Sequence, residues 1–331
     1  MAMQQPVLAL DIGGTKLAVA MVSADGRTHG FLSEPTRKER GPDAVIAHLF
    51  DMGRRSIAEA GLGDPVAVGI SCGGPLDAAA GVLTRPLHLP GWIDVPIVAL
   101  ATEAFGVPAV VENDATAAVL GEHRYGAAQG AGIALYLTLS TGVGGGSVID
   151  GRLHRGAAGN GGEFGHLTVR PGGRRCECGR RGCLEAYASG TNIAVRAREL
   201  LAETDEPSAL RSLDQVRAED VSRAAAEGDE LAASVWNETT ALLGQAVTDL
   251  VNVFEPHVVV LGGGVTRSGA LLLDPVSEIV RTTAMPPAAR AVVTLAGLGD
   301  AVCVVGAGAL AFDLAGAAST DELPTKDATH A

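Results

Sequence analysis

Aromatic side chains are scarce in this chain: six Phe, three Tyr and two Trp stand among 331 residues, against 44 glycines. Its cores must therefore be built from aliphatic side chains, and the glycine excess predicts close backbone approaches, ligands included. Basic charge is also short, with 25 Lys and Arg against 38 Asp and Glu, for a net charge of −13. Such a field repels nucleic-acid backbones and anionic membranes, so neither is expected as a partner. An anionic ligand must instead be held locally, by backbone N–H groups, a helix N-terminus or a metal ion. No uninterrupted apolar run approaches the roughly 18 to 20 residues of a membrane span; the stretch 95–111 is broken by Pro96, Glu103 and Pro108. The first residues lack the basic and apolar regions of an export signal, which predicts a cytoplasmic location. Five cysteines, three of them within 176–183, do not make a disulfide framework.

What is present is α/β patterning. A length of 331 residues predicts two domains with a cleft between them. Strands are expected at 7–9 and 16–22 around a glycine turn, with a third near 28–33. A helix over 42–60 follows, carrying apolar residues at Val45, Ile46, Leu49 and Ile57. Strands at 66–71 and 109–111 and a helix at 97–105 complete a βββαβαβ order, and a further helix should start at Asp114. Beyond Gly130 the pattern restarts as strand 133–139, glycine turn 142–146 and strand 147–149, which predicts a duplicated domain. Helices at 192–202, 218–227, 230–254 and 271–283, strands at 258–261 and 292–296, and a last helix at 302–314 follow.

Two glycine turns occupy matching places in the two halves. The first is Asp11, Ile12, Gly13, Gly14, Thr15, Lys16; the second is Ser140, Thr141, Gly142, Val143, Gly144, Gly145, Gly146. Glycines let backbone amides reach phosphate oxygens, Thr hydroxyls donate, and Asp11 is placed to orient water on a divalent cation. Either turn alone could be ordinary hairpin punctuation; the pair, facing each other across a cleft, points to a nucleotide. Neither is a P-loop, since no Gly-x4-Gly-Lys-Ser/Thr occurs. A third glycine run, Gly262 to Gly264, ends a buried strand and offers flat backbone to an adenine or ribose.

His166, Cys176, Cys178 and Cys183 form a His-x9-Cys-x-Cys-x4-Cys cluster, the donor set a tetrahedral structural Zn2+ prefers; free thiols in a flexible loop are the alternative. Cys72 and Cys303 read as ordinary buried cysteines. Glu112, Asn113 and Asp114 end a strand and open a helix, where Asp114 is either a helix cap or a general base for a sugar hydroxyl. Two lookalikes are rejected. Gly69-Ile70-Ser71-Cys72-Gly73 fits a nucleophile elbow, but Gly74 and Pro75 follow where a helix must start. Gly306-Ala307-Gly308-Ala309-Leu310-Ala311 fits a dinucleotide fingerprint with too little chain after it for a βαβ unit, and is better read as close helix packing.

Residues 139–146, the segment ending Glu163-Phe164-Gly165-His166, and Cys176-x-Cys-Gly-Arg-Arg-Gly-Cys-Leu-Glu185 together resemble the ROK family of sugar kinases and repressors, within the sugar kinase, Hsp70 and actin superfamily. The resemblance extends from Val7 to about Leu314. It implies two ribonuclease H-like, actin-like ATPase domains with ATP and Mg2+ in the cleft: a small one over 1–120 completed by the C-terminal helix at about 302–316, and a larger one over 121–301 carrying a zinc loop at 166–183. Residues 317–331 would be a mobile tail.

By the same resemblance Asp11, Gly13, Gly14, Thr15 and Lys16 form the first phosphate loop, Thr141, Gly142 and Gly144 the second, and Gly262 and Gly263 the adenosine motif. Asn113 would touch the sugar, Asp114 would be the catalytic base, and Gly74, Glu163, His166 and Glu185 would add sugar contacts. His166 would then serve zinc with one ring nitrogen and the sugar with the other. Thr116, Ser147 and His88 depart from the commonest family residues without removing a catalytic group, and His88 and Trp92 bear on substrate preference. The implied activity is ATP-dependent phosphorylation of a hexose, glucose at O6 first, with an N-acetylhexosamine kinase or fructokinase as the enzymatic alternative and a sugar-sensing regulator as the non-enzymatic one. A homodimer or homotetramer is expected.

Overall fold

The computed structural model describes residues 5–321. Chain contacts divide between Gly121 and Glu122 and again between Asp300 and Ala301, so one unit holds the N-terminal part with the C-terminal helix and the other holds the middle.

The first unit contains β1 (Val7–Ile12), β2 (Lys16–Val22), β3 (Thr28–Pro35), α1 (Pro42–Ala60), β4 (Val68–Cys72), α2 (Ile97–Phe105), β5 (Ala109–Asn113), α3 (Asp114–Tyr125, which runs on past the boundary) and, from the far end of the chain, α9 (Val302–Asp321). Its sheet has the order β3-β2-β1-β4-β5. The hairpin β1–β2 and its neighbour β3 are antiparallel, while β4 and β5 join parallel to β1. That is the ribonuclease H-like arrangement the resemblance implies. The central strand β1 is buried along its whole length because helices cover both faces. Leu8, Leu10 and Ile12, with Leu17, Val19 and Met21 of β2, pack against Val45, Ile46 and Leu49 of α1. The opposite face is small: Val7, Ala9, Ala18 and Ala20 meet Val304, Ala307, Ala311 and Phe312 of α9.

That small-residue face lets α9 lie unusually close to the sheet. A Cβ on Gly69 of β4 would sit 1.8 Å from the Ala307 carbonyl oxygen, and one on Gly306 would sit 1.9 Å from that of Ala117. The Gly306-x-Gly308 pattern is thus helix packing, as expected. Two expectations need correction. The helix does not stop near Leu314 but continues to Asp321, so residues 317–321 are helical rather than tail; the remainder of the expected tail, 322–331, lies outside the described residues. The segment Gly299–Ala317 is also long and apolar enough by composition to span a membrane, which a search for unbroken apolar runs passes over; just over half of it is buried in the protein.

The second unit repeats the plan. β6 (Ile133–Leu139), β7 (Val143–Ile149), the two-residue β8 (Arg152–Leu153), β9 (Val258–Gly262) and β10 (Val292–Leu295) form a sheet of order β10-β9-β6-β7-β8. Again a hairpin is antiparallel and the later strands are parallel to its first member. Leu135, Leu137 and Leu139 of β6 enter a core with α5 (Gly190–Glu203), α6 (Ala218–Ala226), α7 (Glu230–Phe254) and α8 (Ala270–Thr283). A short helix not foreseen in the sequence, α4 (Glu185–Ala188), precedes α5.

Candidate active site

In the first unit, β1 ends at the glycine turn. Asp11 lies inside the strand, one register position across from Ser71 of β4, and the Ser71 hydroxyl donates to Asp11 Oδ1 at 2.7 Å. The turn is closed by Gly13 N–H donating to the Lys16 carbonyl at 3.1 Å. Thr36, buried just beyond β3, clamps it from behind: its hydroxyl donates to the Gly13 carbonyl at 2.6 Å and its N–H to that of Thr15 at 3.0 Å. Thr15 and Lys16 remain exposed at the tip. Thr36 carries no motif, and Ser71 stands out in the sequence only in the rejected Gly-x-Ser-x-Gly match, so sequence reasoning missed the support both give to the turn. The fully buried Ser71 hydroxyl, spent on Asp11, also excludes the nucleophile-elbow reading.

At the C-terminal edge of the same sheet, β5 hands over to α3 at Asn113 and Asp114. The helix cap is chiefly Asn113: its Oδ1 accepts from Ala115 N–H at 3.0 Å and Thr116 N–H at 3.3 Å. Asp114 Oδ1 accepts from Ala115 N–H at 2.8 Å. Gly74 lies beside this pair, since a Cβ there would stand 3.6 Å from Asn113 Nδ2. Both carboxyls are pushed upward. Burial raises Asp11 to about 7, with the Ser71 hydrogen bond pulling down and the Asp114 charge adding to the rise. Burial likewise raises Asp114, against the Ala115 amide and the His88 charge. The structure therefore gathers Asp11, Gly74, Asn113 and Asp114 with the first turn, in an environment that wants a cation. Cys72 and Cys303 lie in the same field, their thiols pushed well up by burial and by these two carboxylates; Cys303 is only half-buried, unlike the expectation for it.

In the second unit the turn between β6 and β7 is shorter than expected. Ser140 N–H donates to the Gly142 carbonyl at 2.9 Å, with Thr141 exposed at the tip, and Gly144, Gly145 and Gly146 are strand residues rather than turn. Gly145 answers a packing demand: a Cβ there would lie 2.3 Å from the Phe164 ring and 2.5 Å from the Gly162 carbonyl, so this glycine lets the Glu163–His166 segment down onto β7. Gly262 and Gly263, at the end of β9, are required in the same way by the Tyr136 hydroxyl and the Leu139 carbonyl.

The short turn Phe164–His166 presents His166 with Nε2 3.7 Å from Glu163 Oε2 and Nδ1 3.7 Å from Cys176 Sγ. Cys178 and Cys183 place their Sγ atoms 3.7 Å apart. The donor atoms of His166, Cys176, Cys178 and Cys183 all lie within 4.8 Å of one another, a cluster able to hold a metal ion. The loop is folded around it by Gly179 N–H donating to the Cys176 carbonyl and Cys176 N–H to that of Arg180. Glu185 opens α4 two residues after Cys183. Its Oε2 accepts from Val143 N–H at 2.9 Å, and the Cys176 thiol donates to its Oε1 at 3.6 Å. Glu163, His166 and Glu185 thus adjoin one metal-type cluster and the second turn.

The ROK family model matches residues 7–313. The glucokinase of Halalkalibacterium halodurans is 35% identical over 91% of this chain and 93% of its own length. A ROK hexokinase structure from Thermus thermophilus is 37% identical, with a TM-score of 0.79 over 94% of this chain and 99% of that one. A Streptomyces griseus ROK glucokinase, solved with glucose and AMPPNP, is 33% identical, with a TM-score of 0.79 over 93% and 99%. With a match running from β1 into α9 and relatives above 30% identity over nine-tenths of it, this chain belongs to the ROK family.

Proposed function

We propose that the protein is an ATP-dependent glucokinase that phosphorylates glucose at O6. The observation that carries this reading is the Asp114 carboxylate, fixed at the C-terminal edge of a sheet beside Asn113 and Gly74 and made more basic than an ordinary aspartate by burial. A primary alcohol is a poor nucleophile, and a carboxylate of raised pKa within hydrogen-bond reach is what a hydroxyl needs to attack a phosphoryl group. In the step itself Asp114 takes the O6 proton, the bond from O6 to the γ-phosphorus forms, and the bond from that phosphorus to the β–γ bridging oxygen breaks to release ADP. The glucokinase relatives, one of them holding glucose and AMPPNP, support the substrate choice.

Asn113 has its Oδ1 committed to the helix amides, which leaves Nδ2 to donate to a sugar hydroxyl beside Gly74. Glu163, His166 and Glu185 supply further sugar contacts. The turns at Asp11 to Lys16 and at Thr141 to Gly144 offer backbone amides and Thr hydroxyls to the phosphates, with Gly262 and Gly263 toward the adenosine. These local holds matter in a chain of net charge −13, whose overall field opposes a triphosphate. Mg2+ carried by the nucleotide would neutralise phosphate charge, and Asp11 and Asp114, whose carboxyls burial holds above the ordinary range, fit such a cation's neighbourhood.

The four-donor cluster fits a structural Zn2+. With Zn–S near 2.3 Å, a tetrahedral site separates its sulfurs by about 3.8 Å, and the sulfurs of Cys178 and Cys183 stand at 3.7 Å. Four protein donors leave no open position, so the ion would brace the loop and fix the aim of His166 rather than react.

Replacing Asp114→Asn tests the assignment. Glucose binding, followed by calorimetry, should persist, while turnover in an assay coupled to ADP falls about 10²- to 10⁴-fold. A variant that keeps near-normal turnover removes Asp114 from the chemistry.

A further inference from the structure

Glu185 is spent on more than a sugar. Its Oε2 holds the Val143 N–H at 2.9 Å, and Val143 is the first residue after the Thr141–Gly142 tip of the second turn. Five residues further on, Gly190 N–H donates to the Ser140 carbonyl at 2.7 Å, at the other end of the same turn. Both shoulders of the turn are thus held by the stretch 185–190, which begins two residues after the cluster residue Cys183. Gly165, from the segment carrying His166, lies against the Val143 carbonyl, where a Cβ would stand 2.0 Å from the oxygen. Val143 thus has its N–H held by Glu185, two residues after Cys183, and its carbonyl packed against Gly165, one residue before His166.

We infer that Glu185 is a positioning residue for the nucleotide-binding turn, one carboxylate oxygen aligning Val143 while the other faces the Cys176 end of the cluster. This rests on reading the second turn as a phosphate site. A carboxylate accepting a buried amide makes a strong, directional bond, and without it the Val143 N–H is buried with its partner gone. The other oxygen, Oε1, lies 3.6 Å from the Cys176 sulfur, so the same side chain spans the second turn and the cluster within a single unit.

The test compares the full-length, metal-loaded protein with Glu185→Ala and Glu185→Gln, reading binding of Mg-AMPPNP in the absence of sugar and hydrogen exchange of the Val143 amide in the ligand-free protein. Gln retains an acceptor oxygen for Val143. E185A should weaken nucleotide binding about tenfold and speed Val143 exchange, whereas E185Q should stay within about threefold on binding and near wild type on exchange. Both variants should lose glucose affinity. If Glu185 serves the sugar alone, sugar-free nucleotide binding is the same in all three proteins, which overturns the inference. Fast exchange of Val143 in the wild type overturns it even if E185A fails to fold. Wild-type protein that binds no AMPPNP contradicts the kinase reading instead, and Val143 exchange then still decides the contact.

Discussion

Asn113 gives its carbonyl oxygen to two amides of the first turn of α3, and in doing so relieves Asp114 of most of the capping duty. The carboxylate proposed as general base is thereby held by the helix through one oxygen, Oδ1, on the Ala115 amide. A cap whose carboxylate is consumed stands at Asp229, before α7. Its Oδ1 accepts from Ala232 N–H at 2.9 Å, and its Oδ2 from the Ser208 hydroxyl and Ala209 N–H, both at 2.7 Å. Burial works to raise this carboxyl, but the amide and hydroxyl bonds outweigh it and hold it below the usual range. A depressed folded pKa means stability that is complete above the unfolded value of about 3.9 and is lost as pH falls through the folded one. Asp229→Ala should cost about 1–2 kcal/mol in urea unfolding at pH 7, a gap that shrinks below about pH 4; an unchanged midpoint at pH 7 would remove the cap.

At the scale of elements, the strand and helix order was legible because hydrophobic spacing and glycine punctuation are local signals. The βββαβαβ opening and the restart after Gly130 both follow from them. What the sequence could not disclose depends on partners far along the chain. Gly145 looks like a turn residue until Phe164 is seen lying on it, and Glu185 looks like a sugar ligand alone until the Val143 amide is seen on its Oε2. The alanine-rich, weakly polar sequence after Leu314 resembles a tail while still favouring helix, and α9 runs on through it to Asp321.

The loop 166–183 shows the same dependence on distant partners: Val169 and Arg170 N–H donate to the Gly182 carbonyl and Leu184 N–H to that of Leu167, and the cluster side chains meet within that closure. One Zn2+ per chain is expected by elemental analysis. Its removal by a chelator should lower amide protection across 166–183 about tenfold or more, while β1 amides keep theirs. Equal protection with and without the metal would deny the ion a bracing role.

At the scale of the molecule, one fold plan is used twice: strand orders 3-2-1-4-5 and 8-7-6-9-10 have the same pattern of antiparallel and parallel neighbours. Each copy places a glycine turn after its first strand, one adjoining Asp11, Asn113 and Asp114, the other adjoining Glu185 and the Cys3His cluster. The two versions of one design thus carry different side chains beside their turns. The most direct measurement is a phosphorus and carbon NMR time course of the purified protein with Mg-ATP and carbon-labelled glucose. Equimolar ADP and glucose 6-phosphate should accumulate, with the label showing substitution at O6. Glucose and ATP that both bind while no ADP forms would contradict catalysis and leave a sugar-responsive binding protein.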